Sequence, residues 1–144
     1  MKRDKISIFV HFVWATWDRL PLITPEIEER LYRNLAASAV SLRCKVLAIG
    51  GDRDHVHVLL AMPSTMSVAQ VVKKMKGTSS RFVNEHFETP VPFKWQGFYG
   101  AFSVSRWDVD KIIGYINRQK EHHAKEELWA ELEEMLWEKP RSSE

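Results

Sequence analysis

Two histidines at alternate positions of an apolar segment are the first candidates for chemistry. His55 and His57 stand in "DRDHVHVLLAMP", whose composition favours a buried strand. Side chains alternate across a strand, so both imidazoles share one face with Cβ atoms about 6–7 Å apart. Two imidazoles so placed can bind one metal ion, although a bare His-x-His pair is often only a pair of core histidines.

A second group of candidates lies near the end of the chain, in "GYINRQKEHH". Tyr115 and Gln119 are four residues apart on a predicted helix and therefore share a face. Gln119 offers an amide oxygen as a third metal ligand, and His123 or His122 could replace or assist it. A tyrosine in a helix is commonly a core or rim residue, so the pair matters only if this helix packs over the histidines.

A site of two histidines and one amide is neutral, which suits Mg²⁺ or Mn²⁺ bound partly by the phosphate oxygens of a substrate. A phenol has a pKa of about 10 and is a poor nucleophile until it loses its proton. A metal that polarises a phosphodiester favours the charged transition state. Attack by Tyr115 would leave a covalent phosphotyrosine that keeps the bond energy, so strand transfer would need no ATP.

The elements that must position these residues can be read from the rest of the chain. A strand is predicted near residues 5–16, and Thr24 followed by Pro25 predicts a helix start. The segments "KVLAIGG" and "HVHVLLAMP" predict an antiparallel hairpin. Helices are predicted after Ser67 and after Asp108, and "TPVPFKWQGFYGAFSVS" predicts a loop that runs into a strand.

This order predicts an α+β fold, a ferredoxin-like β-α-β-β-α-β antiparallel sheet with helices on one face. A C-terminal tyrosine-bearing helix and a short helical tail follow it. We expect one domain over residues 1–144, with the ferredoxin-like core at 1–107 and the tyrosine helix and tail at 108–138.

Composition indicates a globular protein without a membrane anchor. The chain has 144 residues, a net charge of +2 and one cysteine, Cys44, so no internal disulfide can form. The apolar start is interrupted by His11 and Thr16 and lacks a small-residue cleavage site, so it does not fit a signal peptide. No apolar run is long enough to cross a bilayer. We therefore expect a cytoplasmic protein.

A locally basic segment, "VVKKMKGTSSR", can track a phosphate backbone even on a nearly neutral chain. The alternative is a solvated helix face. The candidate DNA contacts are Lys73, Lys74, Lys76, Thr78, Ser79, Ser80 and Arg81, with Lys2 and Arg3 as weaker ones. Aromatic candidates for stacking on unpaired bases are Trp14, Trp17, Trp95 and Phe98, each with core packing as the alternative.

Taken in order, "LITPEIEERL", "DHVHVLLAMP", "VVKKMKGTSSRFVNEHF", "FKWQGFYGAFSVS" and "YINRQKEHH" resemble the single-tyrosine HUH transposases of bacterial insertion sequences. The REP-associated tyrosine transposases are close relatives of that family. The resemblance implies a homodimer joined through strand pairing, with composite active sites. It also implies single-stranded DNA with hairpins as substrate, Tyr115 as the nucleophile that attaches to the 5′ side of the cut, and His55, His57 and Gln119 as metal ligands.

Three other functions stay open on the sequence alone. A domesticated relative would cut REP-type hairpins without moving its own gene. A nucleic-acid-binding module would have no catalysis. A small-molecule metallohydrolase fits less well, because "VLLAM" follows the histidines where metallo-β-lactamases carry Asp and His and cupins carry Glu.

Overall fold

A computed structural model of the protein describes residues 4–119, and its elements follow the predicted order. The strands are β1 (Phe9–Ala15), β2 (Lys45–Asp52), β3 (His55–Ala61) and β4 (Gly100–Val104). The helices are α1 (Pro25–Ser41), α2 (Val68–His86) and α3 (Val109–Asn117).

The strands form one antiparallel sheet in the order β2-β3-β1-β4. This confirms the α+β, ferredoxin-like prediction and the hairpin between β2 and β3. The first strand begins at Phe9, later than predicted, and the preceding Ile6 and Ile8 are exposed. In the β1–β3 pairing Ala15 lies opposite His55, so the end of β1 and the start of β3 share one end of the sheet.

The two faces of the sheet carry different layers. Val10, Phe12 and Trp14 of β1 point to the same side as Val56 and Val58 of β3 and pack with α1 and α2 in the main core. The opposite face carries a smaller cluster in which Ala48 and Leu59 pack against Ile112, Tyr115 and Ile116 of α3. The tyrosine helix therefore lies on the face opposite to α1 and α2.

Local signals account for the starts of α1 and α2. Pro25 occupies the first turn of α1, and Ile27, Leu31 and Leu35 form its buried stripe. At α2 the Ser67 side chain accepts from the Gln70 backbone N–H, and the Gln70 side chain accepts from the Ser67 N–H, which completes a capping box.

Some of the predicted residues lie outside the described part of the chain. They are Lys2, Arg3, His122, His123 and the predicted tail helix. Within residues 4–119, no helix combines the length and the apolar character that a membrane span needs.

Candidate active site

The two histidines of β3 lie on the sheet face that α3 covers. His55 and His57 alternate with Val56 and Val58, which point into the main core. The two imidazole rings lie 5.2 Å apart between centroids and are nearly perpendicular. Both side chains are buried, at 1% and 0% exposure.

Close packing of α3 on the sheet brings Tyr115 to the histidines. A Cβ on Gly50 of β2 would lie 2.3 Å from the backbone oxygen of Ile116, so only glycine permits this approach. The Tyr115 ring meets the His57 ring edge-on with centroids 5.5 Å apart, and the tyrosine is 3% exposed. The candidate nucleophile, Tyr115, and the two histidines therefore lie together within one chain.

Gln119 reaches the same site by a different route from the one predicted. The sequence predicted a helix through His123, but α3 ends at Asn117, and Arg118 takes a non-helical backbone conformation with φ −115° and ψ 29°. Gln119 is nevertheless buried, and its Oε1 lies 3.1 Å from His55 Nε2. Tyr115 and Gln119 therefore converge across a break rather than along one continuous helix face.

An acidic neighbour orients His55. The ring Nδ1 lies 2.8 Å from Asp54 Oδ1, and the other Asp54 oxygen accepts from Arg19 Nε at 3.0 Å. Burial tends to raise the pKa of Asp54, but the hydrogen bonds and charges of His55 and Arg19 outweigh it and hold that pKa at about 2. An ionised carboxylate on Nδ1 leaves Nε2 as the nitrogen directed at Gln119, the arrangement that protein metal sites use to fix a histidine ligand.

A third histidine belongs to this cluster, and sequence reasoning missed it. His11 of β1 is buried, and its Nε2 lies 2.9 Å from His57 Nδ1. In the sequence His11 is visible only as a polar interruption of the apolar N-terminal segment. The sequence did contain a signal, the alternation along β1. His11 and Val13 alternate with the core-facing Phe12 and Trp14, so they lie on the other face of the strand.

These residues fit a divalent ion, judged by their donor atoms. Two ligands of an octahedral Mg²⁺ at right angles are separated by about 3 Å, and His55 Nε2 and Gln119 Oε1 are 3.1 Å apart. Because His57 Nδ1 contacts His11, its Nε2 is the nitrogen suited to ligation. Within residues 4–119 no group of three or more His, Cys, Asp or Glu side chains is placed to hold a metal ion, so the amide oxygen of Gln119 would be the third donor beside His55 and His57.

The predicted DNA contacts separate into outer and inner residues. Lys73, Lys74 and Arg81 of α2 are exposed, and Thr78 and Ser80 are half-buried. Lys76 instead donates to the backbone oxygens of Gln96 and Phe98, and burial lowers its pKa. Ser79 is fully buried and accepts from Trp95 Nε1 at 2.9 Å, so its hydroxyl belongs to the core and not to a DNA-facing surface.

The aromatic candidates separate in the same way. Trp14 and Trp95 are buried and pack edge-on with ring centroids 5.9 Å apart. For these two residues core packing, the alternative to base stacking, is therefore what the structure shows. Trp17 and Phe98 are exposed. Of these four aromatic residues, only the latter two can meet a base without rearrangement of the core.

Comparison with known proteins identifies the family. The family model described as "Transposase IS200 like" matches residues 4–119, and the chain therefore belongs to the IS200-like transposases. No curated protein matches the chain significantly.

Two solved structures share the fold. One, from Deinococcus radiodurans R1, is provisionally described as a transposase. It is 26% identical, with a TM-score of 0.66 over 83% of this chain and 98% of its own. The other is a REP-associated tyrosine transposase bound to a REP hairpin, 14% identical, with a TM-score of 0.60 over 82% of this chain and 70% of its own.

Proposed function

We propose that this transposase cuts and rejoins single-stranded DNA at hairpin-flanked ends through a covalent 5′-phosphotyrosine on Tyr115. The observation that carries the proposal is the convergence of the Tyr115 and His57 rings, 5.5 Å apart, beside the 3.1 Å contact of His55 with Gln119. Packing of a hydrophobic core gives no reason for a phenol, two imidazoles and an amide to lie together on one face of the sheet.

In the proposed reaction Tyr115 loses its proton and its oxygen bonds to the phosphorus of the scissile phosphodiester. The bond from phosphorus to the 3′ oxygen breaks, and that oxygen takes up a proton to leave a free 3′-OH. A divalent ion, Mg²⁺ or Mn²⁺, held by His55, His57 and Gln119 would polarise the phosphate and stabilise the charge that develops. Since Tyr115 is buried, the phosphate can reach it only if the packing around α3 opens.

The outer lysines of α2 supply the proposed affinity for the DNA backbone. Lys73 and Lys74 lie on the layer opposite to α3, so the strand must pass around the sheet to reach Tyr115. Each lysine replaced by alanine should lower the salt dependence of single-strand binding by about 0.7 in slope. Lys45, exposed at the start of β2, is the matched control.

A homodimer is part of the proposal, and the outer edges of β4 or β2 offer places for strand pairing. The family resemblance suggests active sites shared between subunits. Because Tyr115 and His57 meet within one chain, we propose that at least one state of the enzyme uses both groups from the same subunit.

Incubation with single-stranded oligonucleotides and Mg²⁺ or Mn²⁺ tests the chemistry. A REP-type hairpin is the first substrate to use, because a protein of the same fold is bound to one. The wild type should form an adduct that survives denaturing gel electrophoresis, and Tyr115→Phe should not. Tyr99→Phe, at an exposed tyrosine, is the matched control and should form the adduct normally.

The outcomes separate the alternatives. An adduct that persists in Tyr115→Phe removes Tyr115 as the nucleophile. Binding of the hairpin without any adduct from the wild type favours a non-catalytic binding module. The DNA sequence on either side of the gene distinguishes a mobile element from a domesticated nuclease, since only a mobile element is bounded by subterminal hairpins.

A further inference from the structure

An exposed tryptophan with a cation over its ring stands at the end of the sheet nearest to His55. Trp17 is 47% exposed, and Lys94 Nζ lies 4.1 Å from its ring centroid. Neither residue contributes to the two hydrophobic clusters. An aromatic surface paired with a positive charge matches the two parts of an unpaired nucleotide, its base and its phosphate.

The turn that carries Trp17 is adjacent to the site. Trp17 comes two residues after Ala15, the β1 residue opposite His55. The Trp17 backbone N–H donates to the Lys94 oxygen at 2.8 Å, which keeps the two residues together. The turn is also joined to the site through Arg19, which contacts the Asp54 carboxylate that orients His55.

Tertiary contacts hold this turn in an unusual shape. Asp18 and Arg19 both have left-handed backbone conformations, with φ of 52° and 51°. Such conformations are uncommon outside glycine and persist where the surroundings fix them. Here the Asp18 N–H donates to Gln96 Oε1 at 3.0 Å, and Arg19 is held by Asp54. The backbone that carries the ring is therefore held in place, which lowers the entropic cost of binding.

The loop that follows Lys94 connects the Trp17 turn to α2. Lys76 of α2 donates to the backbone oxygens of Gln96 and Phe98, in the loop that begins next to Lys94. The exposed Lys73 and Lys74 lie on the layer of α2, and the histidines lie on the opposite face. A strand that ran from α2 to the site around this end of the sheet would pass over the Trp17 turn.

We propose that Trp17 and Lys94 form a binding site for one unpaired nucleotide of the DNA strand, next to the reacting phosphate. The base stacks on the exposed indole and the Lys94 ammonium contacts the phosphate. This inference rests on the proposed function and adds a single-nucleotide subsite to it. The competing occupant of an exposed tryptophan is a protein partner, in which case loss of the indole would leave single-strand binding unchanged.

Equilibrium binding of labelled single-stranded oligonucleotides tests the subsite. Trp17→Ala should raise Kd by about 5- to 150-fold, the range that loss of one base stack produces, and Trp17→Phe should keep most of the affinity. The matched control is Trp107→Ala. Trp107 is 79% exposed with the Arg106 guanidinium 4.3 Å from its ring, but it follows β4 at the opposite end of the sheet, so its loss should leave Kd nearly unchanged.

A scan with abasic sites adds a first arm that uses only the wild type and therefore does not depend on whether the variants fold. Binding by the wild type should weaken at one position of the oligonucleotide, and at that position Trp17→Ala should add no further loss. If the wild type binds single strands but no position is sensitive, or Trp17→Ala binds as tightly as the wild type, the subsite is refuted while the proposed function stands. If the wild type does not bind single strands at all, the proposed function itself fails.

Discussion

Replacement of His11 by leucine isolates the part of the site that sequence reasoning missed. In the proposed site His57 ligates through Nε2 and carries its proton on Nδ1, so Nδ1–H would donate to His11 Nε2, which lies 2.9 Å away. Leucine fills the space of the buried imidazole without an acceptor. The Nδ1–H then loses its partner at a position with no access to water.

The size of the expected effect of His11→Leu follows from the burial of His57. A buried donor left without its acceptor costs about 1–3 kcal/mol of folding stability. Loss of an outer partner of a metal-binding histidine lowers metal affinity by about 10- to 100-fold. His11→Gln offers a side-chain oxygen at a similar reach and should recover most of both quantities.

Two measurements check this prediction. Urea unfolding without metal gives the stability difference, and calorimetric titration with Mn²⁺ gives the affinity. His86→Leu is the control, because His86 is the remaining described histidine and is exposed on α2, away from the site. Equal Mn²⁺ affinity in His11→Leu and the wild type would refute the role of His11 in orienting His57.

Two further perturbations test the packing and the electrostatics of the site. Gly50→Ala should lower stability by about 1–3 kcal/mol and weaken adduct formation, because its Cβ would meet the Ile116 oxygen at 2.3 Å. Gly77→Ala, with nothing within 4 Å of the added Cβ, should raise stability by up to about 1 kcal/mol; equal effects of the two changes in urea unfolding would contradict the close approach of α3. Burial raises the pKa of Asp54, but His55 and Arg19 outweigh it and lower that pKa from 3.8 to about 2, so the ionised Asp54 stabilises the fold by a net amount of about 2 kcal/mol, fully present above about pH 4 and lost as the pH falls towards 2. The stability difference between the wild type and Asp54→Asn, measured without metal, should follow that course; a difference that does not change with pH would argue against an ionised Asp54 in the fold.

Features that depend on neighbours along the chain follow from the amino-acid sequence alone. Ser67 and Gln70 form their capping box within one turn, and Pro25 fixes the first turn of α1. The alternation of His55 and His57 with valines put both imidazoles on one face wherever the strand lay. The order of the elements then allowed few sheets, and the ferredoxin-like one formed.

Contacts between groups far apart in the chain depend instead on how the sheet and helices pack. No periodicity joins His11 to His57 across the β1–β3 pairing, and none shows that Gln119 enters the site past a break at Arg118. Ser79 lies on the same helical stripe as Met75 and Val83 and therefore faces the core, but its partner there, the Trp95 indole, follows only from tertiary packing. Spacing along the chain fixes the face on which a side chain lies. Its partner on that face depends on strand register and helix packing, which are set by contacts between segments far apart in sequence.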